Sequence, residues 1–138
     1  MSRYLLDTTA LVDFSKGREP ESSRLLALIE GGNEIGVCAV CIAEFWTGLP
    51  PQSRSFWEEF ITSVSYWETS REGAIRAGIY RYECARKGRA IPATDAIIAG
   101  TASQHGATIV TDDVQHYPMA GVDVWSLREG GTDDSRRP

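Results

Sequence analysis

The sequence predicts an α/β fold in which a central, mainly parallel sheet is flanked by helices, and three observations predict it. Short apolar runs of strand-forming residues alternate with stretches of helical period along the chain. Glycines and prolines punctuate the joins, as at Gly31, Gly32, Pro50, Pro51, Gly88 and Gly106. Four acids, Asp7, Glu44, Asp95 and Asp113, stand where a strand or turn hands over to a helical stretch, the edge at which a doubly wound sheet gathers its site.

Tyr4, Leu5 and Leu6 form the first strand, ending at Asp7, and Thr8 to Phe14 continues as a short helix. Pro20, in a good first-turn position, opens a helix with Leu25, Leu28 and Ile29 at helical spacing, which Gly31 and Gly32 end. Glu34 to Val40 is a second strand; Ile42 to Leu49 is the helix after it, stopped by Pro50 and Pro51. Ser55 to Ile61 is a further helix and Val64 to Trp67 a short strand. Thr69 with Glu72 matches a capping box, so a long amphipathic helix runs through Ile75, Ile79 and Tyr82 to Gly88. Thr94 caps the next helix, which runs through Ile97, Ile98 and Ala102 to Gly106 with Asp95 in its first turn. Thr108 to Val110 is a strand with Thr111, Asp112 and Asp113 at its carboxyl end, and Val122 to Trp125 supplies the last. Residues 1–127 read as one domain. From Arg128 to Pro138 nothing apolar is available to pack, so this tail is expected to be mobile.

Composition agrees with one soluble core. The 138 residues are 42% hydrophobic and 24% charged, and no apolar run approaches the ~20 residues that span a bilayer. The start passes directly into a strand without a signal core, so a cytoplasmic location without membrane contact is expected. The net charge of −5 opposes binding of nucleic acid through the overall field. A cation among the four acids would offset part of it and leave a local arginine patch to hold phosphate. Cys38, Cys41 and Cys84 are an odd set, against a disulfide framework. Cys38 and Cys41 form a C-x-x-C, but no second ligand pair for zinc accompanies it, and buried packing is the expected role of all three.

The acids carry the chemistry. Asp7, Glu44 and Asp113 follow strands directly or lie early in the next helix, so in a parallel sheet their loops open on one edge; Asp95 joins them if its helix packs beside that edge. Taken singly, Asp95 and Glu44 read as cap or dipole residues. Asp7 is more telling, because Leu6 and Leu11 bury its surroundings. Gathered together, carboxylates raise one another's pKa and repel phosphate, so the cluster implies a cation. Mg2+, with Mn2+ as the alternative, suits an all-oxygen site. Such a site activates water for in-line attack on phosphorus, leaving a 5′ phosphate and a 3′ hydroxyl.

These residues also resemble a known family. Leu5 to Asp13, Leu-Leu-Asp-Thr-Thr-Ala-Leu-Val-Asp, is similar to the opening motif of PIN-domain proteins, particularly VapC-like toxins. Ile42 to Phe45 with Gly48, Thr94 to Ala99, and Ile109 to Asp113 followed by His116 and Tyr117, resemble the second, third and fourth motifs. The resemblance spans Tyr4 to about Trp125. It implies a PIN-like three-layer fold, an Mg2+-dependent endoribonuclease active as the toxin of a toxin–antitoxin pair, a cognate antitoxin partner, an RNA substrate and a homodimer. It assigns Asp7, Glu44, Asp95 and Asp113 as the catalytic, metal-holding acids and Thr9 and Thr111 as the hydroxyls that orient them. The fourth motif often has a further acid where His116 stands, so water positioning there differs or depends on Asp112.

Arg81, Arg86, Lys87 and Arg89 with Tyr80 and Tyr82 form the densest basic stretch, and Arg86 and Arg89 are candidate phosphate contacts. The competing reading is that cations simply favour a helix carboxyl end. Trp46, Phe56, Trp57 and Phe60 are either core or a groove for a partner's helix. For His116 and His105 a structural role is the expectation, His105 at its helix's carboxyl end. A haloacid-dehalogenase-like phosphatase is set aside, because Thr9 stands where that loop has its second Asp. The remaining alternative is a catalytically degenerate PIN-like module that binds RNA or a protein without cleaving.

Overall fold

Leu5 and Leu6 are adjacent in sequence and both fully buried, which a strand achieves only when both faces of its sheet are covered. The computed structural model describes residues 2–135 and places this strand at the sheet's centre. The strands are β1 (Arg3–Leu6), β2 (Glu34–Val37), β3 (Ser65–Tyr66), β4 (Thr108–Thr111), β5 (Val124–Ser126) and β6 (Gly131–Asp133). The helices are α1 (Thr8–Ser15), α2 (Glu21–Glu30), α3 (Ala39–Thr47), α4 (Arg54–Ser63), α5 (Arg71–Arg86) and α6 (Ala93–His105), with short 3-10 turns at Pro51–Ser53 and Val114–His116. The sheet order is β3-β2-β1-β4-β5-β6, parallel throughout except for β5 with β6. The predicted α/β class with a mainly parallel sheet holds.

The chain builds outward from β1 through β2 to β3 and then crosses to the other side for β4 and β5. The switch in direction lies between β1 and β4, and the carboxyl ends of those strands open the crevice in which such sheets bind ligands. Leu6 stands opposite Val110, and the Asp7 amide donates to the Val110 carbonyl at 3.1 Å, so the pairing continues to the first acid.

Close approaches explain two glycines. A Cβ on Gly36 of β2 would stand 2.5 Å from the Trp67 ring that covers it, and one on Gly100 of α6 would strike the Gly73 carbonyl of α5. These two helices therefore pack nearly backbone to backbone.

Several boundaries shift from their predicted places. The second strand ends at Val37, because Cys38 caps α3, which starts at Ala39, and its carbonyl already accepts from the Ile42 amide at 3.1 Å. Ser70, rather than Thr69, caps α5: its hydroxyl accepts from the Gly73 amide at 3.1 Å, while the Thr69 hydroxyl pairs with Thr101 at 2.6 Å. The cap of α6 is Pro92, so Thr94 lies one residue inside the helix. His105 reaches the Glu68 carbonyl and stacks on Trp67.

The segment from Arg128 onward, predicted to have nothing to pack with, is structured as far as Asp133. Val124, Trp125 and Ser126 face Asp133, Thr132 and Gly131, and the Gly130 amide donates to the Ser126 carbonyl at 2.8 Å. Arg24 of α2 donates to the carbonyls of Leu127 and Arg128. The β5–β6 bonds use the main chain and the others a charged side chain, which is why a search for apolar side chains misses them. Arg136, Arg137 and Pro138 lie outside the described residues. Among the described residues, no helix is long and apolar enough to cross a membrane.

Candidate active site

Asp7 follows the central strand and caps α1, and its surroundings fix both of its oxygens. It is 1% exposed. Oδ1 accepts from the Ala10 amide at 2.9 Å and the Thr9 hydroxyl at 2.7 Å, and Oδ2 accepts from the Tyr117 hydroxyl at 2.9 Å. Burial pushes its carboxyl up from the ordinary 3.8, and hydrogen bonds from Thr111, Ala10, Thr9 and Tyr117 pull against it. Burial wins, so the ionised form is held at a cost that a positive charge would relieve.

Thr9 and Thr111 join the ends of the two strands. Their hydroxyls are 3.2 Å apart. The Thr9 hydroxyl accepts from the Asp112 amide at 2.9 Å, and the Thr111 hydroxyl accepts from the Asp113 amide at 3.0 Å. These contacts hold the β4 loop against the acid that follows β1.

Glu44, on α3, accepts from the Thr8 hydroxyl at 2.6 Å. Asp95 lies in the first turn of α6. Its carboxyl is pushed up first by burial; His116 opposes that, and the charges of Asp7, Glu44 and Asp113 add to it. These electrostatic contacts place the four predicted acids in one neighbourhood. A cleft of about 190 Å³ is lined by Asp7, Thr8, Thr9, Glu44, Asp95 and His116. Asp113 lies outside that lining, half-exposed; its carboxylate accepts from the Gln115 amide at 3.1 Å and stands 3.4 Å from His116 Nε2. The donor set of the cleft fits a hard divalent cation, being carboxylate and hydroxyl oxygen with one imidazole at its edge.

His116, given a structural role from sequence, lines the cleft. Tyr117 had no role assigned, although it is 1% exposed and holds Asp7. The only signal for it was a phenol where a phenyl ring would pack as well, since a buried tyrosine hydroxyl needs a partner. The structure also brings Asp13, Glu21 and Asp112 together, with carboxylate oxygens all within 4.8 Å of one another. None of these was predicted as a cation ligand. Among the described residues no trio drawn from the four predicted acids is gathered that tightly.

The basic stretch divides. Arg89 donates to the Gln115 carbonyl and so ties the end of α5 to the turn bearing His116. Arg86 lies over the Tyr82 ring, 4.6 Å from its centroid, on the exposed surface. Cys38 and Cys41 are free and buried with sulfurs 3.4 Å apart; the hydrogen bond to Cys41 brings the Cys38 thiol down to about 7. Of the four aromatics, Trp46, Trp57 and Phe60 pack against the core and Phe56 is 66% exposed. A groove of about 460 Å³ lies beside them, bounded by Val12, Glu44, Phe45, Leu49, Pro50 and Trp57.

Known proteins share this arrangement of chain. The pattern of the PIN domain matches residues 4–122. Ribonuclease VapC19 of Mycobacterium tuberculosis is 34% identical over 119 residues, covering 83% of this chain and 92% of its own. The tRNA(fMet)-specific endonuclease VapC of Shigella flexneri is 26% identical over 126 residues, or 88% and 94% of the two chains. Among solved structures, VapBC2 of Rickettsia felis bound to a DNA fragment from its promoter matches with a TM-score of 0.78 at 22% identity, over 90% of this chain and 98% of that one. FitAcB of Neisseria gonorrhoeae matches at 0.70, also at 22% identity, over 91% and 98%. With a parallel sheet that switches direction between β1 and β4, acids at that switch and a family match across most of its length, the chain belongs to the PIN-domain family.

Proposed function

We propose that this protein is a metal-dependent endoribonuclease acting in the cytoplasm as the toxin of a toxin–antitoxin pair. The observation that carries the reading is the cleft at the β1–β4 switch, lined by Asp7, Glu44 and Asp95. Names borne by relatives, ribonuclease and endonuclease, point to the same chemistry.

Asp7, Glu44, Asp95 and, from the rim, Asp113 would hold Mg2+, or Mn2+ in its place. Bound there, the cation supplies a Lewis acid that activates water and offsets charge on the leaving oxygen. Asp7 is held in one orientation by Tyr117, Thr9 and Ala10, so little reorganisation accompanies binding. Glu44 is kept toward the cleft by Thr8. His116 faces Asp113 at 3.4 Å and stands at the edge of the cleft. Arg86, exposed on α5, meets RNA phosphate, whereas Arg89 acts on the site through the Val114–His116 turn.

The groove beside Phe45 and Trp57 suits an apolar helix of a cognate antitoxin, whose arrival would also cover Glu44. Several structural relatives were crystallised as VapBC complexes. A second copy of the chain is proposed to pair through α5, which exposes Ile75, Ile79 and Tyr82 along one side.

Purified protein is incubated with structured and unstructured RNA in Mg2+ or EDTA, beside Glu44→Gln and Asp95→Asn. Cleavage in Mg2+ that stops in EDTA and in both variants is expected. Cleavage that survives EDTA defeats the metal mechanism, and RNA binding without cleavage under any divalent ion replaces it with a degenerate binding module.

A further inference from the structure

Beyond the catalytic cleft, a second group of acids is placed where neither packing nor the proposed reaction accounts for it. Asp13 lies in the last turn of α1, Glu21 opens α2, and Asp112 follows β4. Asp13 is 2% exposed, and Asp112 is mostly covered, with 18% of its side chain exposed. Asp13 Oδ1 accepts from Arg18 at 3.1 Å, but Oδ2 is buried without any hydrogen-bond partner. Its carboxylate faces that of Asp112 within hydrogen-bonding reach, and two carboxylates so close require a proton or a cation between them.

Existing cations fall short of this need. Arg18 and Arg128 reach the group from solvent, their side chains 53% and 63% exposed. The Arg128 contacts to Asp112 are long, at 3.4 and 3.5 Å. Two guanidiniums against three carboxylates leave one negative charge unmatched. Carboxylate oxygens from all three acids lie within 4.8 Å of one another, a spacing that a hard cation about 2.0–2.6 Å from each oxygen can bridge.

We propose that Asp13, Glu21 and Asp112 form a second divalent-cation site, distinct from the catalytic cleft, which takes a hard ion such as Mn2+, Mg2+ or Ca2+ and pins the first turn of α2 to the loop after β4. The two sites look in different directions from one loop. Asp112 turns its carboxylate toward Arg128 and α1, whereas the neighbouring Asp113 turns its own toward Gln115 and His116. Occupancy would stiffen the loop whose amides rest on Thr9 and Thr111, without contact between this ion and substrate.

The test uses the full chain stripped with EDTA and titrated with Mn2+ alone, read by calorimetry and by the paramagnetic resonance of free Mn2+. In a Glu44→Gln, Asp95→Asn background, which weakens the catalytic cleft, one equivalent of Mn2+ is expected to bind and to raise the melting temperature. Adding Glu21→Gln, a substitution at an accessible helix start, should weaken that equivalent by at least about the tenfold seen when even an outer-shell partner is lost. Asp112→Asn should do the same, and circular dichroism establishes that each variant is folded. If the background binds no Mn2+, the carboxylates share a proton and the proposal fails. If Mn2+ binds equally well after Glu21→Gln and Asp112→Asn, the ion is held elsewhere and the proposal also fails.

Discussion

Tyr117→Phe removes one atom, the hydroxyl that donates to Asp7 Oδ2 at 2.9 Å in a place where both residues are 1% exposed. The ring's packing is kept, so the change isolates the bond. A hydrogen bond to a charged acceptor contributes about 1.5–3 kcal/mol. For 138 residues, an unfolding entropy of about 2.1 cal/mol/K per residue turns that loss into a fall of roughly 5–10 °C in melting temperature. The dependence on pH separates this bond from a packing defect. The folded Asp7 carboxyl is raised above 3.8 by burial, so its advantage to folding is complete below 3.8 and is lost as pH rises through the folded value. Tyr117 stabilises the ionised form, and without it the folded value moves higher still. Thermal melts of both proteins in EDTA across a range of pH should show a deficit that is full above the folded value and shrinks as pH falls through it and Asp7 is protonated. A deficit that is the same at every pH, or absent throughout, would refute the account of Tyr117 as the residue that holds this acid.

Three further outcomes follow from the same geometry. Gly100→Ala drives a methyl group into the Gly73 carbonyl, which is backbone and cannot swing away, so denaturant melts should reveal a loss of about 1–3 kcal/mol. Ending the chain after Leu127 removes β6 and leaves the β5 edge unpaired; light scattering should detect association of the shortened protein where the full chain stays dispersed. The Asp95 carboxyl is raised by burial and by Asp7, Glu44 and Asp113, so divalent-ion uptake by the metal-free protein should weaken as pH falls. Around the raised value uptake should release protons, measured as a calorimetric enthalpy that varies with the buffer.

Much of the fold was legible because the pattern and the physics agree. Leu5 and Leu6, both apolar and adjacent, announce a strand covered on two sides, and Asp7 at its end announces the crevice. Boundaries were less legible where two residues competed for one role, as Thr69 and Ser70 did for the cap of α5. That Asp7, Glu44 and Asp95 meet in one cleft was expected from their joint order along the chain, whereas the contacts of Tyr117 and Asp13 were not. Their importance depends on a hydroxyl or an oxygen meeting a group far away in sequence, as Tyr117 meets Asp7, and local spacing carries no trace of that. The β6 strand was missed for a related reason, since its bonds use only atoms common to every residue.

The bond between the Thr9 and Thr111 hydroxyls has a consequence for when the cleft is assembled. The two residues are 102 positions apart, yet the acids on either side are aligned only once β4 docks beside β1. A nascent chain emerging from the ribosome therefore carries Asp7 from the outset but no assembled cleft until nearly all of the domain has been made. On the proposed function, activity would begin only with the last part of synthesis, which would leave the length of one translation event for a neutralising partner to be at hand.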